Sequence, residues 1–306
     1  MEYIFRNTKL KKNHRIEFER LNPATIFLYY MILVVVTMVF NSPLILLTEF
    51  VIVLFLASMT VGLNSTLKTL KGTSLMMLFI MIVNPITNHN GGSVLYSING
   101  LIITKEATIY GVLMAFSLAN IILIFTSYNK IMSNNKFMFL FGKILPQLTL
   151  LTMIVMRFVP LFLDRFKNIS QIQKTRGIQL EGKSIKEKSI NTMRLVEVLL
   201  IDSCYEAFQT ADSMTARGFG STKRSNYQRY KFNKRDGIIG LILATGILYL
   251  IFAIVNKIGI ITIYPKLIVT SVTSNIEMLT LTVISIICGL PIIMEIREAL
   301  WWTFSK

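Results

Sequence analysis

Charge is scarce in this 306-residue chain, and acid is scarcer still: charged residues fill 16% of positions, with 16 Asp and Glu against 32 Lys and Arg. A soluble chain of this size needs a charged surface to stay dispersed, so the shortage argues against one. There are only two cysteines, Cys204 and Cys288, and two histidines, His14 and His89. Neither cysteine has a partner at metal-ligand spacing, so no disulfide or zinc framework is expected. The histidines, far apart in sequence, read as polar loop residues. Catalytic signatures are missing as well: there is no His-Glu-x-x-His zinc helix, no Gly-x-Ser-x-Gly elbow and no phosphate-binding loop. Asp202, Glu206 and Asp212 share one helical stretch, but without histidines they read as solvated or salt-bridged. The chain is therefore expected to be non-catalytic, with no metal and no cofactor, and any ATP that drives it is hydrolysed by another chain. The net charge of +16 invites a nucleic-acid reading, yet no aromatic-basic platform or zinc spacing supports one.

What the sequence does have is apolar length. Hydrophobic residues fill 53% of positions and the mean hydropathy is +0.58. They gather into runs long enough to cross a bilayer core, which takes about 20 residues of helix. Six spans are predicted, at about Thr25–Phe40, Pro43–Gly62, Thr73–Asn88, Thr108–Ser127, Gly237–Asn256 and Ile276–Glu295, with a tight turn at Asn41-Ser42 between the first two. Ile258–Thr273 is apolar too, but Pro265 and Lys266 interrupt it, so it reads as an outer loop or re-entrant segment. The charged first 20 residues lack a small-residue cleavage site behind them, and the first span reads as uncleaved. With the N-terminus inside, the outer loops hold only Lys105, Lys257 and Lys266, which leaves 29 of the 32 basic residues on the cytoplasmic side. The positive-inside rule then sets both termini in the cytoplasm. Small residues recur every fourth position, at Gly111, Ala115 and Ala119 in the fourth span and at Gly240 and Ala244 in the fifth, and lie on one face for close helix packing. Trp301 and Trp302 read as interfacial anchors.

The fold expected is thus all-α and polytopic. It comprises an N-terminal membrane domain of four spans (1–127), a cytoplasmic helical domain (128–236) and a C-terminal membrane region of about two spans (237–306). The middle segment is too long for a passive loop. Its apolar run Leu148–Leu163 could pass for a span, but Arg157 lies past its middle, at a cost up to about 2.5–3.5 kcal/mol, and Pro160 is expected to break the helix. Crossing there would also invert the side of the basic stretch Lys223–Arg235. The run is read as a helix at the membrane face or packed beneath the spans. Two helical stretches follow, about Pro160–Arg176 and Ser184–Arg217, stopped by Gly177 and Gly218. The second carries an apolar stripe of Val196, Leu199, Leu200, Ala207, Ala211 and Met214, while Glu197, Asp202, Glu206 and Asp212 make it too polar to span.

Both stretches end alike, in Gln173-Lys174-Thr175-Arg176-Gly177 and Met214-Thr215-Ala216-Arg217-Gly218-Phe219. Each sets an arginine in the last turn between a small residue and glycine. One such arginine is explained by the helix dipole, a gain of about 0.3–1 kcal/mol. Two copies, 41 residues apart, suggest tips that enter a partner's groove, where a guanidinium fork can bind carboxylate.

At these residues the sequence resembles a family. Arg157-Phe158-Val159-Pro160, Gln173–Gly177 and Ala211–Phe219, with Leu21-Asn22-Pro23 and Leu145-Pro146, look like the transmembrane scaffold, or T component, of energy-coupling factor transporters (the EcfT/CbiQ family). The resemblance covers most of residues 20–257 and is strongest over 145–220. It implies a subunit of an ABC-type importer for vitamins or transition-metal ions in a prokaryotic cell membrane. Its partners would be two cytoplasmic ABC-type ATPase subunits and a small membrane substrate-binding (S) subunit, within the lipid bilayer. Carried over, Arg176 and Arg217 are the ATPase-coupling arginines, Gly177 and Gly218 their caps, and Ala216 the small flank; Arg157 and Pro160 belong to the structural motif. Thr175 stands where the family usually has alanine, so the first docking site is expected to be tuned differently. The alternative is a permease that binds and moves its own solute, for which Glu49, Asn84 with Pro85, and Asn120 are the intramembrane polar candidates.

Overall fold

The computed structural model describes residues 17–88, 92–98, 101–142, 144–175, 185–221, 230, 232–261 and 275–304. The first membrane helix begins where chemistry favours a start. Asn22 caps it, its side-chain oxygen accepting from Ala24 N at 3.1 Å, and Pro23 occupies the first turn, where a missing N–H costs nothing. Helix α1 runs Pro23–Val39 and α2 Pro43–Val61, separated by a short extended link and again led by proline. Then come α3 (Leu63–Thr87), an antiparallel hairpin of β1 (Val94–Ile98) and β2 (Leu101–Thr104), and α4 (Lys105–Ile131). They are followed by α5 (Asn134–Phe141), α6 (Pro146–Thr175), α7 (Ile185–Ala216), α8 (Lys234–Val255) and α9 (Asn275–Phe304). The all-α expectation holds, with the hairpin as its one exception among the described residues.

Contacts divide the chain into two units, Met1–Lys136 with Tyr230–Lys306, and Phe137–Arg229. In the first, α4 is the central helix and packs on α3, α2 and α1, while α9 lies against α2 and α8, and α8 against α1. The α4 face of Ala107, Gly111, Ala115 and Ala119 is buried, as the spacing of small residues predicts. A Cβ on Gly111 would stand 3.2 Å from Asn84 Cβ, so the two backbones approach closely there. In α8 the expectation fails. Gly240 has open space beside it and Ala244 is exposed; the contact glycine is Gly246, where a Cβ would lie 2.6 Å from Ile287 Cδ1 of α9. The α8 face is chosen by its buried apolar residues Ile239, Leu243, Leu250 and Ala253, and Gly246 falls on that face.

Among the described residues, six helices are long and apolar enough to cross a membrane: α2, α3, α4, α6, α8, and Ile276–Glu298 within α9. Two sequence readings need correction. Helix α3 starts ten residues before Thr73, because the polar segment 63–72 continues the helix beyond its apolar part. The apolar run Leu148–Leu163 and the stretch from Pro160 are one helix, α6, uninterrupted at Pro160. Proline removes one backbone donor, and its neighbours keep helical bonds on either side. By length and composition α6 joins the six, whereas α1, at 17 residues, is a shorter apolar helix at the lower limit for a span. The segment around Pro265 and Lys266 lies outside the described residues.

Candidate coupling site

The second unit rests on α6 and α7, helices of 30 and 32 residues, about 45 and 48 Å long at 1.5 Å per residue. They are joined by charge. Arg165 Nη1 lies 2.8 Å from Asp202 Oδ2 and 2.9 Å from Glu206 Oε2, so one guanidinium bridges two carboxylates one turn apart on α7. Further along, Gln173 of α6 shares a cleft of about 270 Å³ with Asn191, Arg194, Leu195 and Ile201 of α7. Moving forward on α6 from Arg165 to Gln173 therefore means moving backward on α7. The helices pass in opposite senses, and their C-terminal ends point away from each other. From Arg165 to Thr175 is about 15 Å of helix, and from the Asp202–Glu206 pair to Ala216 about 18 Å.

The α7 end is built to present Arg217. Phe219 N donates to Met214 O and Gly218 N to Thr215 O, both at 2.9 Å, the paired bonds of a Schellman cap. That cap needs a left-handed residue, and Gly218 supplies it with φ +75°. Arg217, at the cap, is exposed, with Ala216 exposed beside it. At the other end, α6 is described as far as Thr175, whose hydroxyl donates back to Ile172 O at 2.7 Å. Arg176 and Gly177 lie outside the described residues. Arg157 and Pro160 stand three residues apart on α6, both exposed. The apolar stripe expected on α7 is only partly sheltered: Val196, Leu199 and Met214 are half-buried, while Leu200, Ala207 and Ala211 are exposed.

Sequence reasoning missed Arg165. The acids it bridges were legible as a pair four residues apart on one helical face, but the base lies 37 residues upstream, and nothing local connects them. Two apolar stripes are equally unpaired. On α6, Leu148, Leu151, Val155 and Val159 recur every three or four residues and are all exposed; on α7, Ile201, Tyr205 and Phe208 do the same. No residue of α6 is buried in this chain alone.

The intramembrane polar residues are used differently. Glu49 is fully buried, and Thr37 Oγ1 donates to its Oε1 at 2.6 Å. Asn120 Nδ2 donates to Leu46 O at 3.1 Å and to Glu49 Oε2 at 3.5 Å, which ties α1, α2 and α4 together. Asn84 bonds along its own helix end to Asn88 at 2.9 Å. None of these residues lines a described cleft. Among the described residues no group of three His, Cys, Asp or Glu is placed to hold a metal ion.

Comparison with known proteins bears on this arrangement. Residues 17–228 match the CbiQ family, described as cobalt transport protein. The chain is 27% identical over 238 residues to the energy-coupling factor transporter transmembrane protein EcfT of Acidaminococcus fermentans, covering 73% of this chain and 87% of that one. It is 25% identical over 233 residues to the protein of the same name from Staphylococcus aureus, covering 71% and 85%. Over a shorter stretch of 104 residues it is 33% identical to the Streptococcus thermophilus protein of that name, covering 33% of this chain and 39% of that one.

Proposed function

Since the chain belongs to the CbiQ family and is an EcfT-type transmembrane component of energy-coupling factor transporters, we propose that it links two cytoplasmic ABC-type ATPases to a small substrate-binding membrane subunit. The cargo would be a vitamin or a transition-metal ion, chosen by that subunit. Arg217 and Arg176 each enter one ATPase, with Gly218 and Gly177 as caps and Ala216 and Thr175 as the flanks. The observation that carries the reading is the capped, exposed Arg217 at the end of a long helix that Arg165 braces against α6. The opposed helix directions favour two partners over one, because they send the two tips apart.

The motion runs from the ATPases to the membrane. ATP closes the ATPase pair, the tips follow their grooves, and the α6–α7 pair turns as one about the Arg165 bridge. The substrate-binding subunit packs on the exposed stripes of α6 and α7, a greasy surface that lets it slide or tilt without breaking directional bonds. Helix α6 thereby lies at the cytoplasmic membrane face, with both termini of the chain inside. The intramembrane carboxyl of Glu49 and the Asn120 amide serve helix packing, which weakens the permease reading.

Replacing both Arg176 and Arg217 by glutamate tests this. ATPase co-purification with the tagged chain is expected to be lost while the chain still inserts and folds. Undiminished assembly would remove the two tips from the mechanism.

A further inference from the structure

Two basic stretches lie far apart in the sequence. Residues 3–16 contain no acid and hold Arg6, Lys9, Lys11, Lys12 and Arg15. Residues 213–235 also contain no acid and hold six Lys or Arg from Lys223 onward. The structure brings together the residues just after the first stretch and those at the end of the second. Asp236, at the start of α8, accepts from Asn22 N and Asn233 N, each at 2.8 Å, and Arg235 pairs with Glu17. The beginnings of α1 and α8 therefore sit side by side at one end of the first unit.

Between them is a cleft of about 430 Å³, with Arg20, Leu21, Lys234 and Met294 in its lining. The acids in that lining are engaged already: Glu17 by Arg235, and Asp236 by the two backbone amides. Arg20 and Lys234 are exposed, and among the described residues neither has a carboxylate partner. Leu21 and Met294 add an apolar wall at the level where α1 and α8 begin and α9 is ending.

We propose that this cleft binds the headgroup of an anionic phospholipid, with Arg20 and Lys234 on the phosphate and the acyl chains against the apolar helix ends. Three features favour a lipid over a soluble anion. The cleft opens at the ends of membrane helices, its wall is partly apolar, and two polybasic stretches lead into it along the chain, the pattern by which juxtamembrane segments hold anionic leaflets. The positive-inside rule accounts for basic loops in general. It does not require Arg20 and Lys234, more than 200 residues apart in sequence, to frame one cleft without a carboxylate partner among the described residues.

The test uses the full chain with its co-purifying subunits in mild detergent, titrated with phosphatidylglycerol or phosphatidylcholine and read by native mass spectrometry. Wild type is expected to retain phosphatidylglycerol preferentially. The R20Q/K234Q variant should lose that preference by about 25-fold, since each surface base contributes about fivefold toward an anionic leaflet. The control K68Q/K71Q neutralises two exposed lysines at the start of α3 and should leave the preference intact. Equal retention of the two lipids, or an equal loss in both variants, would overturn the site. Displacement of the lipid by millimolar inorganic phosphate would also overturn it, assigning the cleft to a free anion instead.

Discussion

Replacing Arg165 is the sharpest probe of how α6 and α7 are held. Arg165→Met keeps most of the side chain's length and apolar stem while removing the charge. Both ion pairs are partly exposed, at 30% for the arginine and 54% and 27% for Asp202 and Glu206. Pairs of this kind are worth about 0.2–1 kcal/mol each, not the larger values of buried bridges. Removing the arginine also leaves two carboxylates four residues apart on one helix, a repulsion of roughly 0.2–0.5 kcal/mol. The total is about 1–2 kcal/mol, enough to loosen a crossing without unfolding the chain. Arg165→Met should therefore leave ATPase co-purification near wild type while lowering ATP-driven uptake several-fold in reconstituted vesicles. Arg165→Glu should be worse, because three acids would then face one another, and adding Glu206→Arg should restore part of the loss. The reasoning fails if Arg165→Met transports normally, or if the charge swap recovers nothing beyond Arg165→Glu alone.

Other substitutions test other contacts. Gly218→Ala forces a side chain into a left-handed position, with its Cβ 3.2 Å from Ser221 Oγ, and should cost about 1–2 kcal/mol at the α7 tip; ATPase assembly should weaken, and partner binding measured by titration will show it. Gly246→Ala places a Cβ against Ile287 and should lower the melting temperature of the purified chain by an amount matching about 1–3 kcal/mol, with Ile287→Val recovering part of it. Asp236→Ala removes the acceptor of two part-buried backbone donors and should destabilise by about 1–3 kcal/mol, whereas Asp236→Asn, which keeps one acceptor oxygen, should cost less; thermal scans of both variants decide.

Hydropathy made most of the first unit legible, because lipid forces apolar residues into uninterrupted runs. It located α2, α4, α8 and α9 to within a few residues, apart from extensions at their ends. It placed the start of α3 wrongly, since a helix that leaves the apolar layer can continue through Asn64, Lys68 and Lys71 with no hydropathy signal. The hairpin was missed although Asn99-Gly100, the dipeptide that best fits a two-residue hairpin turn, stands between its strands in the sequence. Pro160 was given too much weight: inside a 30-residue helix the loss of one bond is outweighed by the many that remain. At the candidate site, the Gly218 stop of α7 was legible because a local motif encodes it. The Arg165 bridge and the Asp236 link between α1 and α8 were not, for each joins residues whose proximity depends on the whole fold.

The Arg165 bridge divides α6 and α7 into arms of about 15 and 18 Å on the side of the two tips. Near-equal levers on a common fulcrum have a mechanical consequence. A turn of 10° about the bridge sweeps each tip through about 3 Å, in opposite directions and by nearly equal amounts. Two motors driving those tips in opposite directions would generate a torque with little net thrust, twisting the helix pair in place instead of pushing it through the membrane.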